Sequence, residues 1–293
     1  GYLTSGSGLI IDKRSSVISN LPTIYFGSMP RDGGHLVISS EEEKASIISS
    51  DPRASKFILK YLGSKEFIRS QVRYCLWIED KDLDEANSIP KIHDRIIAVK
   101  QERLTSKAES TKKYANQPHR FVQISYQAMP SIIIPSVSSE RRHYIPVGFL
   151  ESDTVISNLA FAIYNPPVHT FAVISSRMHM TWVRTVAGRL EDRLRYSSSL
   201  CYNTFPFPEI TDAQKTTLED HVFRIIDERE LHPEKTMAQL YDPDKMPEGL
   251  RQAHHEMDLA IEQCYRSKPF KSDEERLEYL FTLYEEMIAA EAK

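Results

Sequence analysis

The chain has 293 residues, of which 41% are hydrophobic and 27% are charged, and its formal net charge is −4 at pH 7. This length and composition are typical of a folded protein of about two domains, and they exclude a disordered chain or a small stapled scaffold. Apolar runs such as residues 159–164 are far shorter than the roughly 20 residues of a membrane helix, so no membrane span is predicted.

The start of the chain and its cysteines indicate the setting of the protein. The first eight residues contain neither an initiating Met nor a signal pattern, and we interpret them as a junction within a longer protein. Cys75, Cys201 and Cys264 are too widely spaced for a disulfide framework or a zinc site, which favours a reducing, cytoplasmic location. No metal site is predicted, because His254-His255-Glu256 is not followed by a histidine one helical turn later.

The first part of the chain alternates short β-like runs with a glycine-rich turn at residues 27–34, which predicts a strand, a loop and a second strand. Helix N-cap signals follow at Ser39 or Ser40, before three glutamates, and at Asp51, before a proline. We therefore predict two short helices, the second of which carries the apolar side chains of residues 57–62.

The middle of the chain predicts a buried strand, a helix, a loop and then the main sheet. Residues 73–78 favour the strand and residues 91–104 the helix, whereas residues 105–120 have few large apolar side chains and predict an exposed, mobile segment. Four β-like runs place the sheet core after this segment; they are residues 121–125, 132–134, 144–150 and 155–164.

The last third of the chain is predicted to be helical. Residues 167–196 predict one helix, and the proline pair Pro206 and Pro208 marks the end of the first domain. Capping boxes at Thr211 and Ser272 open two amphipathic helices, with a third between them. The predicted fold class is α+β: a mixed β-sheet domain with flanking helices at residues 1–205, followed by an acidic all-α domain at residues 206–293.

Charge is distributed unevenly along the chain. Residues 91–147 hold ten basic and four acidic side chains, whereas residues 206–293 hold 11 basic and 21 acidic ones. A basic stripe of this kind is the electrostatic signature of a polyanion-binding protein. The alternative interpretation is a set of solvated helix faces.

The basic segment combines residue types that hold phosphates with residue types that read bases. Arginine pairs with guanine, glutamine pairs with adenine, and glutamate accepts from the cytosine amine, whereas lysine chiefly contacts phosphates. The candidate DNA-binding residues are Lys112, Lys113, Arg120, Gln123, Tyr126, Glu140, Arg141 and Arg142. The alternative for residues 140–142 is a surface ion pair of little energetic value.

No self-contained active site is predicted. Asn165-Pro166-Pro167-Val168 is similar to the loop with which amino-methylating DNA methyltransferases hold a flipped base, but Val168 has no aromatic face to stack on that base. No glycine-rich turn follows a strand to cradle a cofactor, and there is no nucleophile elbow. We therefore predict no catalytic residue and no cofactor site in this chain.

Several combined motifs resemble the carboxy-terminal part of MmeI-like (type IIL/IIG) restriction-modification enzymes. They are Arg14-Ser15, Ile18-Ser19-Asn20, Phe26-Gly27-Ser28-Met29-Pro30-x-Asp32-Gly33-Gly34, Arg73-Tyr74-Cys75-Leu76-Trp77, Ser138-Ser139-Glu140-Arg141-Arg142-x-Tyr144-Ile145-Pro146 and Tyr202-Asn203-Thr204-Phe205-Pro206-Phe207-Pro208. The similarity extends from about residue 10 to residue 288.

The resemblance implies a division of labour within a longer polypeptide. Such enzymes join an endonuclease, an adenine methyltransferase that uses S-adenosylmethionine, a target recognition domain and a helical end domain, and this chain resembles the last two. It would recognise a specific double-stranded DNA sequence and position it for adenine-N6 methylation by a domain outside this chain. By the same resemblance, residues 138–144 would read bases, and Lys112, Lys113 and Arg120 would contact phosphates or a groove.

Two alternative functions remain. The chain could be a protein–protein scaffold in which the basic stripe and the acidic helices bind neighbouring chains. It could also methylate by itself through residues 165–168, which requires that this chain bind S-adenosylmethionine. Duplex binding that weakens as salt rises distinguishes DNA recognition from the scaffold, because phosphate contacts release counterions.

Overall fold

A computed structural model describes residues 10–191 and 193–291. The chain forms two compact units, each assembled from segments that are distant in sequence. Unit 1 takes the described residues of Gly1–Tyr25, Pro130–Phe149 and Ala162–Lys293, and unit 2 takes Phe26–Met129 and Leu150–Phe161. Both sides of the predicted domain boundary at residues 205 and 206 belong to unit 1, and the division into two domains at that point stays a prediction.

The strands form three sheets within the described residues, with the orders β1-β9-β5-β7, β10-β11-β6 and β2-β4-β3-β8. Their bounds are β1 Tyr25–Phe26, β2 Val37–Ile38, β3 Ile58–Leu62, β4 Tyr74–Leu76, β5 Ser131–Pro135, β6 Val137–Ser139, β7 Gly148–Leu150, β8 Thr154–Ile156, β9 Ala160–Tyr164, β10 Gly188–Leu190 and β11 Arg193–Arg195.

Helices account for most of the remaining regular structure. They are α1 Glu41–Ser50, α2 Ser64–Ile68, α3 Leu83–Asn87, α4 Pro90–Thr105, α5 Glu109–Lys112, α6 His169–Ile174, α7 Arg177–Val186, α8 Asp212–Glu230, α9 Met237–Leu240, α10 Glu248–Tyr265 and α11 Asp273–Glu291. Short 3-10 helices at Pro52–Phe57 and Asp80–Asp82 and a π-helical turn at Ser198–Tyr202 complete the list. This mixture of sheets and helices confirms the predicted α+β class.

The core of unit 2 forms around the sheet β2-β4-β3-β8. Strand β3 pairs antiparallel with β4, where Leu59 lies opposite Cys75, and parallel with β8, where Tyr61 lies opposite Val155. The predicted helix at residues 91–104 is confirmed as α4, which buries apolar side chains in this core; they are Ile92, Ile96 and Val99.

The second predicted helix of unit 2 is wrong in its C-terminal half. Asp51 does cap the chain, since its Oδ1 accepts from the backbone N–H of Arg53 at 3.0 Å, but only a 3-10 turn follows. Residues 58–62 form strand β3 instead. Pairing with a strand on each side satisfies the backbone of β3, and this tertiary effect overrides the helical spacing of its apolar residues.

The glycine turn of unit 2 depends on a close backbone approach. A Cβ atom added at Gly27 would lie 2.0 Å from the carbonyl oxygen of Ser157, so only glycine fits there. The next residue, Ser28, is fully buried, and its Oγ accepts from the backbone N–H groups of Ser125 and Tyr126, both at 3.1 Å. The turn thereby positions the segment that carries predicted contact residues.

The predicted sheet core is confirmed at β5 and β9, in which every residue is buried. The run at residues 155–164 is two strands, β8 and β9, because the chain turns between them and exposes Leu159. Residues 121–125 form only an isolated bridge, between Gln123 and Met29.

The single helix predicted for residues 167–196 is wrong. Helix α6 ends at Ile174, and α7 starts afresh after Ser176, whose Oγ accepts from the backbone N–H of His179 at 3.1 Å. Trp182, Val186 and Leu190 would share the apolar face of such a helix; Trp182 is buried, but Leu190 is 42% exposed, because Gly188 begins a β-hairpin. Glu191, with φ of 57°, lies in the turn of this hairpin.

The capping box at Thr211 is confirmed, whereas at Ser272 only the N-cap half forms, because the Glu275 carboxylate accepts from the backbone N–H of Lys271 instead. The hydroxyl of Thr211 accepts from the backbone N–H of Gln214 at 3.2 Å, and the Gln214 side chain accepts in return at 2.9 Å. Ser272 accepts from the backbone N–H of Glu275 at 3.2 Å at the start of α11. Among the described residues, no helix combines the length and the apolar character that crossing a bilayer requires.

Candidate nucleic-acid interface

The predicted base-reading loop leaves strand β6 of unit 1 in a tight turn. The backbone N–H of Arg142 donates to the carbonyl of Ser139 at 3.2 Å, and the backbone N–H of Arg141 donates to the Ser139 hydroxyl at 3.3 Å. This turn projects Glu140 and Arg141 from the surface, whereas Arg142 is half-buried. The structure thus brings these three predicted residues together in one loop.

Each side chain of the loop has a protein partner. Arg189 donates to the Glu140 carboxylate at 2.5 Å, and Arg141 donates to Asp244 at 2.5 Å. Its hydrogen bond and charge interaction with Asp244 raise the pKa of Arg141, whereas burial lowers the pKa of Arg142. Both ion pairs lie at the surface, where such pairs contribute about 0–1 kcal/mol, so another partner can replace them at little cost.

The backbone of the loop is held from two sides. The Arg184 guanidinium of α7 donates to the Arg142 carbonyl at 2.9 Å. After the loop, Tyr144 is buried, stacks on the His254 ring at a centroid distance of 4.2 Å, and donates its hydroxyl to Asp258 at 2.8 Å. The loop therefore presents charged side-chain ends on a fixed backbone, which suits selective contacts with bases.

The hairpin β10–β11 adds arginines that the sequence interpretation had assigned to a helix. In the antiparallel pairing of β11 with β6, Arg193 lies opposite Ser139 and Arg195 lies opposite Val137. Leu194 between them is only 2% exposed, so both arginines project from the opposite, exposed face. The alternation of arginine and leucine at residues 193–195 has the period of a strand, and this signal could have identified them.

The two arginines differ in their partners. Arg193 donates to Glu191 at 2.6 Å. No ion pair or side-chain hydrogen bond to Arg195 is found within residues 10–191 and 193–291. An exposed guanidinium without a carboxylate partner is well suited to hold a phosphate.

In unit 2, a buried arginine organises the segment predicted to be an exposed, mobile loop. Arg103 of α4 is 0% exposed and donates to five backbone carbonyls at 2.7–3.1 Å. These carbonyls belong to Pro30, Arg31, Tyr114, Gln117 and Arg120. The prediction of an exposed, mobile segment is therefore wrong for its second half, which is folded around one side chain.

The predicted lysines lie on the outside of this segment. Lys112 ends helix α5 and pairs with Glu109 at 2.7 Å, and Lys113 is exposed directly after it. The buried neighbours Thr111 and Ala115 fix the orientation of this short helix. Both lysines are therefore accessible at the surface, and their role in holding a phosphate stays a prediction.

The other predicted residues of unit 2 contribute more to structure than the sequence interpretation implied. Arg120 donates to Asp80 at 3.3 Å, and the half-buried Gln123 exchanges backbone hydrogen bonds with the turn that follows Gly27. Tyr126 packs edge-on against Trp77 at 4.9 Å and donates its hydroxyl to a backbone carbonyl. Arg120 and Tyr126 line one open cleft of about 370 Å³.

The alternative enzymatic loop is unsuited to hold a base. Asn165 is exposed with φ of 46°, its backbone N–H donates to the Pro130 carbonyl at 2.8 Å, and Val168 leads into α6. An aliphatic side chain at this position provides no stacking surface. Across the described parts of the chain, no three His, Cys, Asp or Glu residues are grouped to hold a metal ion.

Comparison with known proteins gives matches over almost the whole chain. The family model described as "MmeI, target recognition domain" matches residues 5–209, and that described as "MmeI, C-terminal domain" matches residues 210–290. A protein described as DNA methyltransferase A from Bacillus subtilis (strain 168) is 43% identical over 286 residues, which are 98% of this chain and 32% of that protein.

A solved structure of the type IIL restriction-modification enzyme MmeI in complex with DNA shares the fold. It matches with a TM-score of 0.93 and 36% identity, over 98% of this chain and 38% of that chain. The chain thus spans about a third of the length of each of these relatives. These matches confirm the resemblance seen in the sequence motifs: the chain belongs to the MmeI family and comprises its target recognition domain and C-terminal domain.

Proposed function

We propose that the chain is the module with which a longer adenine-N6 DNA methyltransferase or restriction enzyme recognises a specific sequence in double-stranded DNA. The observation that carries the proposal is the loop of residues 140–142, where the exposed carboxylate of Glu140, the exposed guanidinium of Arg141 and the half-buried guanidinium of Arg142 share a backbone fixed by Arg184 and Tyr144. The solved relative in complex with DNA supports the same function.

The loop residues have the chemistry needed to discriminate bases. Glu140 would accept from a cytosine amine, and Arg142 or Arg141 would donate in a fork to guanine. Replacing the ion pairs to Arg189 and Asp244 costs little, because all four side chains are at least 47% exposed. A well-formed base contact of about 1–3 kcal/mol therefore exceeds what the loop gives up.

A second group of residues would hold the duplex without regard to sequence. Lys112 and Lys113 in unit 2 and Arg193 and Arg195 in unit 1 are exposed cations on rigid elements. Such contacts set the register of the protein on the backbone and supply the salt-dependent part of the affinity. Arg120, Gln123 and Tyr126 are proposed as weaker contributors, since each also maintains the local fold.

Catalysis would take place elsewhere in the parent protein. We propose that a methyltransferase domain of the same polypeptide binds S-adenosylmethionine, that an endonuclease domain accompanies it, and that the parent protein works in the cytoplasm. The identity to a DNA methyltransferase over only 32% of that protein's length supports a parent with additional domains.

Selection from a random duplex library tests the proposal. The full 293-residue chain should enrich one defined site, and log K for that site should fall linearly with log salt concentration. A chain that enriches no site and shows no salt-dependent duplex binding, yet captures a partner protein, would favour the scaffold alternative instead.

A further inference from the structure

A second basic feature of unit 1 is a cleft of about 390 Å³ where three helices begin. Arg177 is the first residue of α7, Asp273 is the first residue of α11, and Arg251 lies in the first turns of α10. The opposite wall is formed by His143 and Tyr144, which directly follow the proposed base-reading loop. The cleft is therefore continuous with that loop.

Five cationic or imidazole groups line the cleft. They are Arg177, Arg184, Arg251, His143 and His255. Arg184 is anchored on the Arg142 carbonyl at 2.9 Å, and Arg251 is anchored on the Pro243 carbonyl at 3.1 Å, in both cases through Nη2. Within the described residues, Nη1 of these two arginines makes no hydrogen bond, so its N–H groups are available to donate to a ligand.

The acids of the cleft offset only part of this charge. Asp273 pairs with Arg177 at 2.7 Å and with Arg276 at 3.1 Å, and Glu248, whose side chain is 87% exposed, lies 3.6 Å from Arg251, whereas no carboxylate pairs with Arg184 among the described residues. Burial lowers the pKa of His143, and the nearby guanidinium groups lower it further, as expected where the local potential is positive. The cleft thus favours an anion with oxygen acceptors.

We propose that this cleft binds one phosphodiester group of the duplex backbone, on the strand whose bases face the loop of residues 140–142. The inference rests on the proposed function. Arg184 links the two sites, because it supports the loop backbone and also lines the cleft. A phosphate is the anion that a duplex bound at the loop would bring to the adjacent surface.

Neutral phosphate substitution combined with mutation tests the inference. A methylphosphonate is placed at one phosphate at a time across the preferred duplex, and binding is measured for the wild-type chain and for Arg251→Gln. In the wild type, several positions should weaken binding, and at the one that faces the cleft the loss should be roughly tenfold, since a hydrogen bond to a charged group is lost there. In Arg251→Gln, the same position should have no further effect, and Arg251→Lys should retain part of it.

The control variant is Arg266→Gln, which removes the same charge from the opposite end of helix α10. It should keep the wild-type methylphosphonate profile. Equal profiles for the wild type and Arg251→Gln would overturn the phosphate cleft while leaving DNA recognition intact. A wild-type chain that binds no duplex would instead defeat the proposed function, and the cleft inference with it.

Discussion

Arg103 illustrates how one side chain can replace a hydrophobic core in a polar segment. Its guanidinium has five N–H donors, and the structure supplies five backbone carbonyls at 2.7–3.1 Å. Burial lowers the pKa of Arg103, but an arginine stays charged in proteins. The charge is therefore offset by carbonyl dipoles, which fix the backbone next to the proposed phosphate-binding lysines.

We expect Arg103→Met to destabilise unit 2 by about 3 kcal/mol or more, because several buried carbonyls lose their donor at once. Urea denaturation of the full chain measures the change in unfolding free energy. Lys100→Met on the same helix is exposed and should change it by no more than about 0.5 kcal/mol. Equal effects of the two substitutions would show that the carbonyl cluster does not depend on Arg103.

Asp258 is a second buried charged residue, and its environment makes the stability depend on pH. Burial raises its pKa to about 7, although the Tyr144 hydroxyl and the backbone N–H of Arg177 donate to it at 2.8 and 2.7 Å and oppose the rise. Because this pKa exceeds the unfolded value, the stabilisation is complete below about pH 4 and is lost as pH rises through about 7.

The variant Asp258→Asn removes this titration and keeps an acceptor for Arg177. We expect its unfolding free energy, relative to the wild type, to increase by about 1–3 kcal/mol between pH 5 and pH 9. Denaturation across this pH range measures the difference, with Asp220→Asn as the control for loss of an exposed carboxylate. A difference that is constant with pH would contradict the assignment.

At the scale of elements, the β10–β11 hairpin and the loop after β6 separate two kinds of contact. Arg195 is exposed on a strand and has a geometry suited to a phosphate, whereas Arg142 emerges from the loop beside an acceptor. The two arginines should therefore respond differently to the DNA sequence.

We expect Arg142→Gln to cost about 1–3 kcal/mol for the preferred duplex and little for unrelated duplexes. Arg195→Gln should weaken binding to all duplexes alike and reduce the slope of log K against log salt by about 1. Fluorescence anisotropy on one preferred and two scrambled duplexes measures both effects. Arg142→Gln losses that are equal on every duplex would move Arg142 into the class of backbone contacts.

Elements with local chemical signals could be predicted from the sequence. The caps at Ser40, Thr211 and Ser272 act within four residues, and each begins the helix that was expected. Strand β3 could not be predicted in the same way, because its parallel partner β8 lies about 90 residues away in sequence. The β10–β11 hairpin did carry a local signal, the alternation at residues 193–195, which the single-helix interpretation overlooked. Glu140–Arg142 are therefore candidates from their residue types alone, whereas Arg193 and Arg195 enter the proposal only from the hairpin.

At the scale of the whole molecule, the basic segment of residues 91–147 belongs to both units, because the chain passes from unit 2 to unit 1 after Met129. Composition shows that residues 91–147 are basic, but it does not show which of these residues belong to which unit. The interleaving depends on parallel pairing of β3 with β8, which are about 90 residues apart in sequence, and no local pattern encodes that pairing.

A further prediction concerns the division of labour in the parent protein. Calorimetric titration of this chain with S-adenosylmethionine should give no heat of binding, since its Asn-Pro-Pro-Val loop has no aromatic face and no glycine-rich cofactor turn. The parent protein measured in parallel is the positive control. Saturable binding by this chain, abolished by Asn165→Ala, would restore the enzymatic alternative.

The position of β8 in the sequence limits where the chain can be truncated. A gene fragment that stops at residue 129 would contain β3 but not the strand that covers its edge, leaving the main-chain groups of Lys60, Tyr61 and Leu62 open to other chains. Open edges of this kind template aggregation. Exchange of specificity between relatives should therefore fail with a block that ends between β3 and β8, and should succeed by side-chain replacement within the intact chain.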